Sequence, residues 1–247
     1  MTTPFIAEFI GTALLLLLGN GIVANVNLKN TLAEGQTPWI LITSAWGFAV
    51  FVGAYVAGQF SGAHLNPAVT LGLAVAGKFS WSLLPIYFLA QLLGAMFGSA
   101  LNYLLYIDHY RITTDEASAR STFCTAPAIR NFKNNFFSEC LGTFVLVFGI
   151  FFIVSPSIII DGVVTKNFGI GALESLPVAL LVWVIGMGLG GTTGYAINPA
   201  RDLGPRIVYQ MIPRKNKEAD WSYAWIPVLG PLVGGGFAGL IYVFLLP

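Results

Sequence analysis

The sequence predicts an all-α membrane protein with six transmembrane helices and two re-entrant half-helices, arranged as an inverted 3+3 repeat. Three observations lead there. The chain of 247 residues is 56% hydrophobic and only 9% charged, with a mean hydropathy of +0.76, which lies outside the range of soluble domains. Six apolar stretches approach the roughly 20 residues that cross a bilayer. The tripeptide Asn-Pro-Ala occurs twice, at Asn66–Ala68 and Asn198–Ala200, each time opening an apolar segment too short to cross.

Taken in order, Phe5–Val26 is the first span. It lacks the basic leader and small-residue cleavage site of a signal peptide and is expected to be retained. Trp39–Gln59 is the second span. Asn66 is then a favourable N-cap and Pro67 suits the first helical position, so Pro67–Gly77 is the first half-helix. Leu83–Ile107 is the third span, and the polar stretch Asp108–Lys133 reads as a surface connection. Phe136–Val154 and Leu176–Thr193 follow as spans, Pro199–Met211 as the second half-helix, and Trp225–Leu246 as the last span. The expected organisation is a single channel domain, 1–247, with repeat one at about 1–107, a connection at about 108–133 and repeat two at about 134–247.

The halves echo each other. Ala7-Glu8-Phe9-Ile10-Gly11-Thr12 returns as Ser138-Glu139-Cys140-Leu141-Gly142-Thr143, and Gln91-Leu92-Leu93-Gly94 as Pro231-Leu232-Val233-Gly234. The spacing from Glu8 to Glu139 matches that from Asn66 to Asn198 within one residue. An odd number of spans per repeat reverses the second copy, so the half-helices enter from opposite faces and their amino termini meet. Each helix start carries unpaired N–H groups and partial positive charge. Non-helical backbone at membrane depth needs protein or water around it, so the Gly-containing approaches to both motifs are expected to line something wet.

Other classes of function find no support. A net charge of +1 gives no electrostatic case for nucleic acid. Cys124 and Cys140 form neither a disulfide framework nor a metal-ligand cluster. There is no nucleophile–base set, so no catalytic residue, metal or cofactor is expected.

On these residues the chain resembles the aquaporin (major intrinsic protein) family over nearly its whole length. The carrying motifs are Ser61-Gly62-Ala63-His64-Leu65-Asn66-Pro67-Ala68-Val69-Thr70 and Gly194-Tyr195-Ala196-Ile197-Asn198-Pro199-Ala200-Arg201-Asp202. The resemblance implies a right-handed six-helix bundle with two re-entrant half-helices, assembled as a homotetramer in which each subunit has its own pore. It also implies a multi-pass protein of the cell membrane with both termini cytoplasmic. Charge opposes that orientation: the cytoplasmic connections would hold Lys78 and Lys166, against eight basic residues outside. The repeat match is the more specific signal, and the family orientation is kept.

Four positions of narrowest passage distinguish members of the family, and they map here to Trp46, Gly186, Tyr195 and Arg201. Water-selective members are similar to one another in placing Phe and His at the first two. Trp and Gly here remove a donor and vacate volume, which is expected to widen the pore. Trp46 and Tyr195 then offer an apolar corner for a carbon chain, and Arg201 a fork of donors to adjacent hydroxyls. Asp202, Arg206 and Pro231-Leu232 resemble the glycerol-facilitator branch, whereas Tyr195 departs from the Phe commonest at its place. The implied function is a passive channel for glycerol and similar small neutral solutes, also passing water and excluding ions and protons. The alternatives are a channel mainly for water or small neutral acids, or an ion-coupled secondary transporter.

The expected mechanism uses free carbonyls of Gly62, Ala63, His64, Gly194, Tyr195 and Ala196 as an acceptor ladder, with Asn66 and Asn198 as central donors. Val50 is expected on the apolar wall. Arg201 is expected to lean on carbonyls of a facing loop and on water. The intramembrane carboxylates Glu8 and Glu139 are read as structural groups holding the re-entrant loops, and His64 as a loop-fixing residue that lends its carbonyl. The small-residue pairs Gly94/Gly98 and Gly235/Gly239 are read as sites of close helix packing.

Overall fold

A computed structural model describes residues 2–245 except 37, 155–156, 161–162, 167–168 and 216. Its helices run in the predicted order. Helix α1 spans Thr2–Asn27, α2 Trp39–Ser61, α3 Pro67–Val75 and α4 Leu84–Leu105. Short helices α5 (Ile107–Ile112) and α6 (Glu116–Ser121) precede α7 (Phe132–Phe151). Strands β1 (Ser157–Ile160) and β2 (Val163–Lys166) pair antiparallel, with Ser157 opposite Lys166. Helix α8 (Leu176–Leu189), half-helix α9 (Pro199–Met211) and α10 (Ile226–Leu245) complete the chain. Six of these helices, with their 3-10 extensions, are long and apolar enough to cross a membrane.

Helix ends differ from expectation where capping decides them. Helix α7 begins four residues before the predicted Phe136, because the Asn131 side chain accepts the Asn134 N–H and caps it. Helix α8 gives way to a 3-10 turn at Gly190–Thr192 instead of running to Thr193. Half-helix α3 stops at Val75, followed by Gly77 at φ 69°. The hairpin of β1 and β2 was not foreseen. The predicted end of the last span at Leu246 lies outside the described residues.

The repeats interlock. Helix α1 packs on α2 and α4, and α7 packs on α10. Each half-helix crosses to the other repeat, α3 onto α10 and α9 onto α4. Glycines make this closeness possible: a methyl on Gly94 or Gly98 would overlap the carbonyl of Phe9 or Ala13. One on Gly239 would lie 2.6 Å from the Gly72 carbonyl oxygen. Both small-residue pairs therefore bring helix backbones into contact.

The stretch expected as a plain surface connection is ordered and partly buried. Tyr110, Ala119 and Phe123 join Ala24, Leu28 and Tyr209 in a second apolar core over one end of the bundle. Arg214 fastens it, bonding the Glu116 carboxylate at 2.7 Å and the Tyr110 and Thr113 carbonyls at 3.0 and 2.7 Å. Polar residues here face each other as much as solvent, which composition alone does not reveal.

Candidate functional site

The two half-helices meet at their amino termini, as capping chemistry requires. Asn66 accepts the Ala68 N–H through its side-chain oxygen at 2.8 Å, and Asn198 accepts those of Ala200 and Arg201 at 3.0 and 3.2 Å. The side-chain nitrogens then cross between repeats. Asn66 Nδ2 donates to the Ile197 carbonyl and Asn198 Nδ2 to the Leu65 carbonyl, both at 2.8 Å. A carboxamide nitrogen has two hydrogens, so each asparagine keeps one for a solute. Pro67, Ala68, Pro199 and Ala200 are buried behind them.

The approaches to the two motifs share one backbone signature. Gly62, Ala63 and Leu65 lie at φ 82°, 50° and 51°, and their counterparts Gly194, Tyr195 and Ile197 at 78°, 38° and 42°. Left-handed backbone at four non-glycine residues costs on the order of 1 kcal/mol each. The buried glutamates offset it. Glu8 accepts the His64 and Leu65 N–H groups at 2.9 and 2.7 Å, the Ser61 hydroxyl at 2.6 Å and the Gln91 amide at 2.8 Å. Glu139 accepts the Ala196 and Ile197 N–H groups at 3.0 and 2.8 Å. His64 is fixed too, its Nδ1 lying 3.1 Å from the Thr70 hydroxyl and its ring packed in a cluster with those of Phe79 and Tyr87.

Two cavities share these asparagines. One of 370 Å³ is lined by Gly62, Ala63, His64, Val50, Asn66 and Asn198 and runs toward Glu174 and Val178. The other, only 40 Å³, is lined by Trp46, Tyr195, Ala196, Arg201 and the same asparagines. Leu15, Val50, Leu146 and Val182 wall both, so together they form one path, wide at one end and tight at the other. Among the described residues, no protein donor reaches the carbonyls of Gly62, Ala63, His64, Gly194, Tyr195 or Ala196. Gly194 itself does not line either cavity; it faces the Thr125 side chain, where a methyl would lie 3.4 Å from Cγ2.

The narrow end brings Trp46, Tyr195 and Arg201 together and places Gly186 behind them. The Arg201 guanidinium lies 4.0 Å over the Trp46 ring, a cation–π contact. Among the described residues its side chain has no carbonyl partner, contrary to the expectation of a facing loop. Trp46 is itself seated against Gly19, where a methyl would overlap its ring. Gly186 does not widen the passage as expected. The Tyr195 ring fills the space it leaves, with Cζ 2.7 Å from where a β-carbon would stand. Behind Arg201, fully buried Asp202 binds the Arg206 Nε at 2.8 Å and the Thr125 N–H and hydroxyl at 2.8 and 2.7 Å. The sequence does not single out Thr125 as a site residue, and it marks Gln91 only as part of a repeated segment, because their contacts with Asp202 and Glu8 are made across the fold.

The chain is similar to known proteins along nearly its whole length. The family model described as Major intrinsic protein matches residues 1–242. The chain is 46% identical over 242 residues to the probable glycerol uptake facilitator protein of Thermotoga maritima, covering 98% of each. It is 46% identical over 241 residues to the glycerol uptake facilitator protein of Bacillus subtilis, covering 97% of this chain and 84% of that one. The X-ray structure of the aquaglyceroporin from Plasmodium falciparum aligns at a TM-score of 0.81 and 34% identity, over 98% of this chain and 95% of that one.

Proposed function

The chain belongs to the major intrinsic protein family, and on that premise we propose that the path through its centre is a passive channel for glycerol and similar small neutral solutes. It is not an enzyme. The observation that carries the solute class is the tight end: an indole and a phenol ring make an apolar corner, and a guanidinium faces the same 40 Å³ space. A polyol has one edge of carbons and one of hydroxyls, and such a corner matches both. Water passes by the same polar wall.

Each solute exchanges hydration for the open carbonyls of one approach, then for the asparagine hydrogens, then for those of the other approach. A cation meets the Arg201 charge and then two helix amino termini with no carbonyl cage to replace its water. Glu8 and Glu139 hold the loops and never face the solute. We take the protein to be a homotetramer of the cell membrane, with the tight end outside and both termini in the cytoplasm.

Light scattering from vesicles holding the purified protein tests the solute class. Glycerol flux well above empty vesicles, falling steeply for longer polyols, is the expected result. Water flux without glycerol flux would exclude this reading.

A further inference from the structure

Trp39 lies outside the pore, yet it touches the residue that shapes its narrowest point. As the first residue of α2 it is 38% exposed. Its indole Nε1–H donates across to the Gly186 carbonyl of α8 at 2.9 Å. The ring meets that of Tyr195 edge-on, with centroids 5.8 Å apart and planes at 79°. A β-carbon on Gly190, one turn beyond Gly186, would stand 2.9 Å from Trp39 Cζ2 and 3.1 Å from Tyr195 Cγ. Tyr195 is therefore clamped between the glycine face of α8 and the indole.

Polar satisfaction does not explain that pose. The Tyr195 hydroxyl is buried and has no hydrogen-bond partner among the described residues. No hydrogen bond from the described residues holds the ring, so the protein positions it by packing. The ring packs on the two glycines and on Trp39, and Trp39 is itself anchored by a hydrogen bond to α8.

We propose that Trp39 is a positioning residue that sets the size limit of the channel by clamping Tyr195 against Gly186 and Gly190. The inference rests on the reading of Trp46, Tyr195 and Arg201 as the narrow point. With the indole gone, the Tyr195 ring relaxes into the space it leaves and away from the path. The passage loosens toward longer polyols while glycerol still crosses.

The test compares flux of a five-carbon polyol with glycerol flux in the same vesicles, so that the ratio is independent of how much protein inserts. Trp39→Leu is expected to raise the ratio several-fold, and Trp39→Phe, which keeps a ring but loses the donor, to raise it less. Tyr195→Ala raises it as well, and adding Trp39→Leu to Tyr195→Ala changes nothing more, because the clamp then has nothing to hold. A ratio unmoved by Trp39→Leu, with Tyr195→Ala effective, would overturn the clamp and leave the filter reading intact. Equal effects of Trp39→Leu with and without Tyr195 would likewise overturn it, showing that Trp39 acts elsewhere. A ratio that ignores Tyr195→Ala would remove both the filter assignment and the clamp.

Discussion

Gly186 and Tyr195 are complementary: the side chain absent from one is replaced by the ring of the other. A β-carbon at Gly186 would stand 2.7 Å from Tyr195 Cζ and 2.9 Å from Cε2. The glycine thus makes the apolar wall possible by letting the ring lie flat against α8. Even Gly186→Ala is expected to lose about 1–3 kcal/mol through overpacking and to push the ring into the path. Glycerol flux should fall further than water flux, by light scattering on the same vesicles.

A water-type narrow point cannot be restored by Gly186→His and Trp46→Phe alone, because the imidazole would occupy the space of the Tyr195 ring. With Tyr195→Ala added, the imidazole has room. The triple variant is expected to keep water flux and lose most polyol flux. Parallel loss of both fluxes in a variant that still elutes as folded protein would show that these positions do not control selection.

The buried glutamates are predicted to matter for stability rather than for chemistry. Glu139→Ala strands the N–H groups of Ala196 and Ile197, and each unsatisfied buried donor costs about 1–3 kcal/mol. Glu8→Ala strands the His64 and Leu65 N–H groups and also takes an acceptor from the Ser61 hydroxyl and the Gln91 amide, which keep the Ala57 carbonyl and the Thr70 hydroxyl. It should therefore lower the melting temperature in detergent further than Glu139→Ala does. Equal shifts would argue against this hydrogen-bond account.

On the proposed reading, Arg201→Val removes one of two stacked electrostatic barriers. Its guanidinium rests on the Trp46 ring and accepts no structural duty from a carbonyl among the described residues, so the fold should tolerate the change. Proton conductance is expected to rise above that of the native protein while neutral-solute flux persists. Conductance that stayed at the native level would assign exclusion to the half-helix ends at Asn66 and Asn198.

Outside the membrane, Asp220 links stability to pH. Burial opposes its ionisation, but bonds from Arg130 and the Ser222 hydroxyl outweigh this and hold its carboxyl below the usual value. The contribution is therefore complete above the ordinary aspartate range, about pH 4, and is lost as pH falls through the lowered folded value. Asp220→Asn should lower the melting temperature at pH 7 and flatten its decline in acid.

The motifs made the central half of this site legible. Asn66-Pro67 and Asn198-Pro199 specify helix starts by local chemistry, and the duplicated Glu8 and Glu139 set the phase between the repeats. What the sequence did not reveal depends on tertiary placement. Thr125 reaches Asp202 from a stretch whose polar composition reads as loop, and Trp39 reaches Gly186 from the edge of a span. The space beside a glycine is a property of its neighbours, so the filling of Gly186 by Tyr195 is set by the fold and not by the local sequence. The same holds for Arg201, whose support is an indole face rather than a carbonyl.

Ion independence of glycerol flux tests the channel most directly. Vesicles of the native protein are given a glycerol gradient with sodium and proton gradients absent, aligned or opposed. The account predicts a flux linear in the glycerol gradient and unchanged across all three conditions. Flux that an imposed ion gradient drives uphill would contradict it and mark the molecule as a coupled transporter.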